Sequence, residues 1–185
     1  VPQKFLDDAT YPVKVDPTFG YTSIGASSVT GGVYRGHVGS TLRYTALAGD
    51  IISLFSVYAS GAINTWTTAI YDFDGTLPVN RLATAVNISV STTAAWYNSD
   101  AVSQALVGGT IYIMAMGYGE GTASFYFDTT SGNQRSGNAG GSGLPDPWVH
   151  VSYSAAVISH YATYTQKPFG KPLIVNQAVN RASTY

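Results

Sequence analysis

Cysteine is absent from the 185-residue chain. That absence removes a disulfide framework, a thiol nucleophile, an iron–sulfur cluster and a cysteine zinc site. Charge is scarce as well: 10% of residues carry it, against about 25% in ordinary globular proteins. Lys plus Arg number 9 and Asp plus Glu 10, for a net charge of −1. With no basic run, the electrostatic footprint of a nucleic-acid binder is missing. Glutamate occurs once, at Glu120, and no apolar run approaches the ~20 residues that a membrane helix requires. The chain begins at Val1 with no basic-then-apolar leader, which reads as a processed chain or a piece of a larger one.

What is present points to one β domain. Hydrophobic residues make up 45% of the chain, which excludes disorder. The length suits a single domain with a core that stands without metal or disulfide staples. There are 14 Tyr, 7 Phe and 3 Trp, together with 20 Gly. Strong helix formers other than Ala are few, whereas β formers and turn residues are many. The same profile is common in secreted and virion-surface β proteins.

Short apolar runs separated by Gly, Pro, Asn and Asp predict strands over Thr10–Val15, Ser28–Tyr34, Ser40–Leu47, Ile51–Tyr58, Thr65–Tyr71, Ala83–Val90, Ala94–Asn98, Thr110–Gly117, Thr122–Phe127 and Val149–Thr165, the last divisible in two. Strands at a spacing near ten residues, with turn signals between them, suit a sandwich or barrel. In Ile111–Met116 both alternating faces are apolar, which places that strand centrally and covers it twice. Ala48-Gly49-Asp50 reads as a tight connection. Ser131–Pro147, rich in Gly and ending in Pro145 and Pro147, reads as a long loop. The segments 1–20 and 166–185, each interrupted by prolines, read as arms on a body over 21–165.

Several pieces then fall in a familiar order. They are Gly49-Asp50 leading into Ile51–Tyr58, Ala69-Ile70-Tyr71-Asp72 with Asp74-Gly75, and Trp96-Tyr97. They continue with Val107-Gly108-Gly109-Thr110 leading into Ile111–Ala115, Tyr126-Phe127-Asp128, Pro145-Asp146-Pro147 and Tyr161–Tyr164. In this order, over about three-quarters of the chain, the sequence resembles a jelly-roll-like β-sandwich domain of secreted bacterial, archaeal and phage structural proteins. The resemblance implies a non-catalytic accessory or virion-surface module and fixes no ligand.

Few residues suggest chemistry. Asp72 and Asp74 with Gly75 form an Asp-x-Asp-Gly turn. Calcium is the one cofactor such a turn suggests, given further acids such as Asp100 or Asp128. A plain turn is the commoner reading, because Asp and Gly favour turns in any case. His37, His150 and His160 lack metal-pair spacing, and no Gly-x-Ser-x-Gly elbow accompanies them. One Glu and nine Asp, mostly in turns, make a poor source for a glycosidase pair. Asn87-Ile88-Ser89 matches a glycosylation acceptor but falls within a predicted strand. Trp96 reads as core. Trp148, with Tyr118 and Asp146 near the Gly-rich loop, is the candidate surface for stacking on a sugar.

The expectation is therefore an all-β protein: an antiparallel β-sandwich of jelly-roll type with extended N- and C-terminal arms. Its leading function is that of a non-catalytic structural subunit of an extracellular or virion-surface assembly. Its partners are then other copies of itself or neighbouring structural proteins, with no nucleic acid and no membrane span. Assembly runs through strand addition by Tyr11, Val13 and Val15 on one arm and Leu173, Ile174 and Val175 on the other. The alternative is a carbohydrate-binding module using Trp148 and Tyr118.

Overall fold

The computed structural model describes residues 17–30, 34–37, 42–61, 66–82, 86–117, 123–137 and 144–166. Every regular element among them is a strand: β1 (Thr18–Tyr21), β2 (Ser27–Thr30), β3 (Tyr34–His37), β4 (Tyr44–Thr45), β5 (Ile51–Ser60), β6 (Trp66–Phe73), β7 (Pro78–Arg81), β8 (Val86–Ile88), β9 (Ala95–Asn98), β10 (Gln104–Ala105), β11 (Ile111–Gly117), β12 (Ser124–Gly137), β13 (His150–Ile158) and β14 (His160–Thr165). All pairings are antiparallel. The expected all-β sandwich is what the chain forms.

One sheet runs β1–β14–β5, with β9 and β10 along the far side of β5. The other runs β3–β11–β6, with β4 in line with β3 and with β7 and β8 beyond β6. Strand β12 serves both. Its first half pairs with β2 and the end of β5; its second half, after a register shift between Asp128 and Asn133, pairs with β3. From β5 onward the chain crosses repeatedly from sheet to sheet, the winding expected of a jelly roll.

Alternation places the core. Phe55, Val57 and Ala59 of β5, Trp66 and Ile70 of β6, Tyr112, Met114 and Met116 of β11, and Ala162 and Tyr164 of β14 point between the sheets and are buried. Full burial of such a side chain contributes about 1.5–3 kcal/mol. The intervening residues of β11, Ile113 and Ala115, join Ala69, Tyr71 and Phe73 in a second cluster on the far side of that sheet, covered by Leu144 and Trp148. β11 is thus covered on both faces, as its sequence predicts.

Three expectations need correction. Ser131–Gly137 is not loop: it is the second half of β12, held by ladders to β3 and β13. Its polar, Gly-containing composition is tolerated because pairing on both sides satisfies the backbone. The predicted Ser28–Tyr34 strand is two strands, β2 and β3, lying on different stretches of β12. Trp96 is not core: it is half-buried on the outer face of β9.

Candidate functional site

One end of the sandwich gathers the features that an assembly site needs. β1 pairs with β14 and meets no other strand among the described residues. The body begins and ends side by side there: the Tyr164 amide donates to the Pro17 carbonyl at 3.0 Å, and Thr165 pairs with Ile51. The flanking segments 1–16 and 167–185 therefore attach at neighbouring points. Tyr11, Val13, Val15, Leu173, Ile174 and Val175 belong to those segments and lie outside the described residues, as does Tyr118.

Two turns close the same end. In the first, the Asp50 amide donates to the Leu47 carbonyl while Gly49 adopts a φ of 91°. The second runs from Val107 to Thr110 and docks on the first, with the Leu106 amide donating to the Asp50 carbonyl and the Gly109 amide to Ala46. These turns carry Leu47 and Val107 at 43% and 63% exposure, beside Ile51 at 36%. They are three of the six large hydrophobics that stand exposed among the described residues.

A buried polar anchor braces the end from beneath. Asp50 is buried and accepts from the Tyr44 hydroxyl and, at 2.7 Å, from the Leu47 amide. The Tyr44 ring stacks on Phe19 at 5.0 Å and meets Tyr164 at 4.4 Å. Burial first, then the Asp50 carboxylate, pushes the Tyr44 phenol well above its ordinary value, so it stays a donor. The anchor ties the Leu47 turn to the start of β1 and the end of β14. Sequence reasoning identified the Ala48-Gly49-Asp50 turn but missed its exposed neighbours. Their signal was apolar residues flanking tight Gly turns, where polar residues are the norm.

The other sequence candidates among the described residues gather around β6 and β7, at the edge of the second sheet. Trp148 is buried at 8% exposure, its ring edge-on to Tyr71 at 5.2 Å. It is pinned there because residues 144–148 lie against β6 and β7. The Trp148 amide donates to the Val79 carbonyl, the Arg81 guanidinium to the Leu144 carbonyl, and Tyr71 to the Pro145 carbonyl. The Asp146 carboxylate accepts from the Arg81 amide at 3.0 Å. Trp148 and Asp146 thus work as a clasp over the second cluster.

Asp72 and Asp74 shape the β6–β7 hairpin. Asp74 Oδ1 accepts from the Thr76 and Leu77 amides, both at 2.7 Å, and these donors hold its carboxyl below the usual carboxylate range. Asp72 grips Asn80 through both oxygens, accepting from its amide at 2.6 Å and its side chain at 3.1 Å. Among the described residues no three His, Asp or Glu side chains gather closely enough to hold a metal ion. No helix among them is long and apolar enough to cross a membrane.

Comparison with protein-family models finds no matching family, and comparison with curated proteins finds no matching relative.

Proposed function

We propose that this chain is a non-catalytic structural subunit or domain of an extracellular or virion-surface assembly, such as a fibre, filament or capsid decoration. It joins neighbouring copies, or neighbouring structural proteins, through strand and arm contacts. The observation that supports this reading is the coincidence at one end of the sandwich: an edge strand with no second partner among the described residues, two adjacent points of attachment for the flanking segments, and the exposed Leu47, Ile51 and Val107. An open edge is a template for strand addition, and apolar side chains beside it supply the burial that main-chain bonds alone lack. The extracellular or virion setting rests on the low-charge, Tyr- and Thr-rich composition.

The test is removal of segment 167–185 and, separately, of segment 1–16, with mass read by light scattering and shape by electron microscopy. The full chain forms oligomers or filaments, and each truncated chain keeps its β signature in circular dichroism but loses them. Monomeric full-length protein at high concentration, or truncated chains that assemble as well as the full one, would overturn the proposal.

A further inference from the structure

The outer face of the β1–β14–β5 sheet carries a row of aromatic rings that neither core cluster uses. Tyr58 of β5 and Trp96 of β9 are cross-strand partners, with ring centroids 5.5 Å apart. Tyr126 of β12 packs against Tyr58 at 4.9 Å on one side, and Tyr161 of β14 against Trp96 at 5.0 Å on the other. All four are partly exposed. Each alternates with inward neighbours, Val57 and Ala59, Ala95 and Tyr97, Phe125, and His160 and Ala162, so the register of four strands aims all four rings the same way.

The chemistry around the rings is as uniform as their direction. On the same face the strands present Ser28, Thr30, Asn98, Ser124 and Thr163. Among the described residues the row holds no Lys, Arg, Asp or Glu; Asp128, at its margin, is engaged by Tyr21 and the Ala26 amide. Ser56 is fully buried although it lies on this outer face, and its hydroxyl donates to Asn98 at 2.7 Å. Neighbouring rings meet at 71°, 82° and 61°. Rings so inclined cannot all lie flat, so the surface is ribbed.

We propose that this face is a binding site for a neutral saccharide chain. Aromatic rings offer flat, polarised surfaces to the C–H faces of sugar rings, and the phenol, hydroxyl and amide groups between them match sugar hydroxyls. The absence of charge decides between ligands. An anionic glycan or an anionic membrane needs Lys or Arg, which the described residues of this face lack, and a cationic peptide needs free carboxylates, whereas Asp128 at the margin is already engaged. The site lies on another part of the fold from the buried Trp148, and it does not depend on the assembly reading.

Tryptophan fluorescence tests the site directly. Trp66 and Trp148 are buried at 1% and 8% exposure, so acrylamide quenching of the folded chain reports chiefly on Trp96. The full-length protein is titrated with cellohexaose, mannohexaose, maltohexaose and chitohexaose, with a heparin oligosaccharide as the charged control. At least one neutral hexaose shields Trp96 from quencher, and calorimetry gives a matching affinity. Trp96→Ala and Tyr161→Ala each weaken that affinity roughly tenfold or more, with thermal melts confirming the fold. If Trp96→Ala does not fold, Tyr161→Ala and the wild-type quenching titration decide. Flat titrations with every neutral hexaose, equal binding of heparin, or unchanged affinity in Tyr161→Ala would overturn the assignment. Self-association that Tyr161→Ala abolishes while the saccharide titrations stay flat would assign the face to a protein contact instead. Saccharide binding that survives removal of segment 167–185 separates this site from the assembly end.

Discussion

Thr68 Oγ1 and His160 Nε2 lie 2.8 Å apart in the middle of the sandwich, joining β6 of one sheet to β14 of the other. The Thr68 hydroxyl also donates to the Ala115 carbonyl at 3.2 Å, so its lone pair is left to accept from the histidine ring. Both residues are buried. Thr68→Val keeps the shape and removes the acceptor, leaving a buried donor facing a methyl group. The expected loss is about 1–3 kcal/mol in urea unfolding, with Thr68→Ser much nearer the wild type.

Glycines on this scaffold separate strain from collision. Gly20 and Gly75 both have positive φ, 109° and 105°. A Cβ on Gly75 meets nothing within 4 Å, whereas one on Gly20 falls 2.3 Å from Met114 Cε and 2.5 Å from the His160 carbonyl oxygen. Gly75→Ala is expected to cost about 1–3 kcal/mol from backbone strain alone. Gly20→Ala should cost clearly more, because β1 must lift from β14. Comparing thermal melts of the two variants checks the ranking.

The tie between Tyr21 and Asp128 predicts a pH window. The Ala26 amide first, and the Tyr21 hydroxyl second, hold the Asp128 carboxyl below its usual range, while Asp128 raises the Tyr21 phenol. A depressed acid contributes stability above its unfolded value of about 3.9 and loses it as pH falls through the folded value. A raised phenol contributes below about 10 and loses it as pH rises through the folded value. In NMR titrations the Ala26 amide should therefore shift with a midpoint below about 3.9, and Asp128→Asn should abolish that shift.

Trp148 and Trp96 differ in what their removal costs. Trp148→Ala opens a cavity in the second cluster, and about 3–5 kcal/mol is expected. Trp96→Ala removes a half-exposed ring braced by Tyr58 and Tyr161, and the loss should be well under that. Chemical denaturation of the pair checks the contrast, and a Trp96 variant as unstable as the Trp148 variant would contradict the outer placement.

What the sequence reveals here follows burial. β5, β6 and β11 are legible because each keeps an apolar face or run long enough to outweigh its surroundings. β7 and β10 are not: Pro78–Arg81 starts on a proline, and Gln104–Ala105 spans two residues. Ser131–Gly137 has the composition of a loop and becomes strand only because β3 and β13 flank it, which no local pattern encodes. The four outer rings are scattered from Tyr58 to Tyr161, and only strand register brings them together. A mid-strand Trp96 reads as core because periodicity identifies two faces without saying which one is wet. The clasp of Arg81, Asp146 and Trp148 was out of reach for the same reason, since its partners are main-chain groups of other strands.

The adjacency of Pro17 and Thr165 has a mechanical meaning. Force applied through the two flanking segments would enter the fold at a single corner, and β1 and β14 would part like a zipper, one bond after another, rather than resist in shear. A body pulled this way would open at that corner before its core is disturbed.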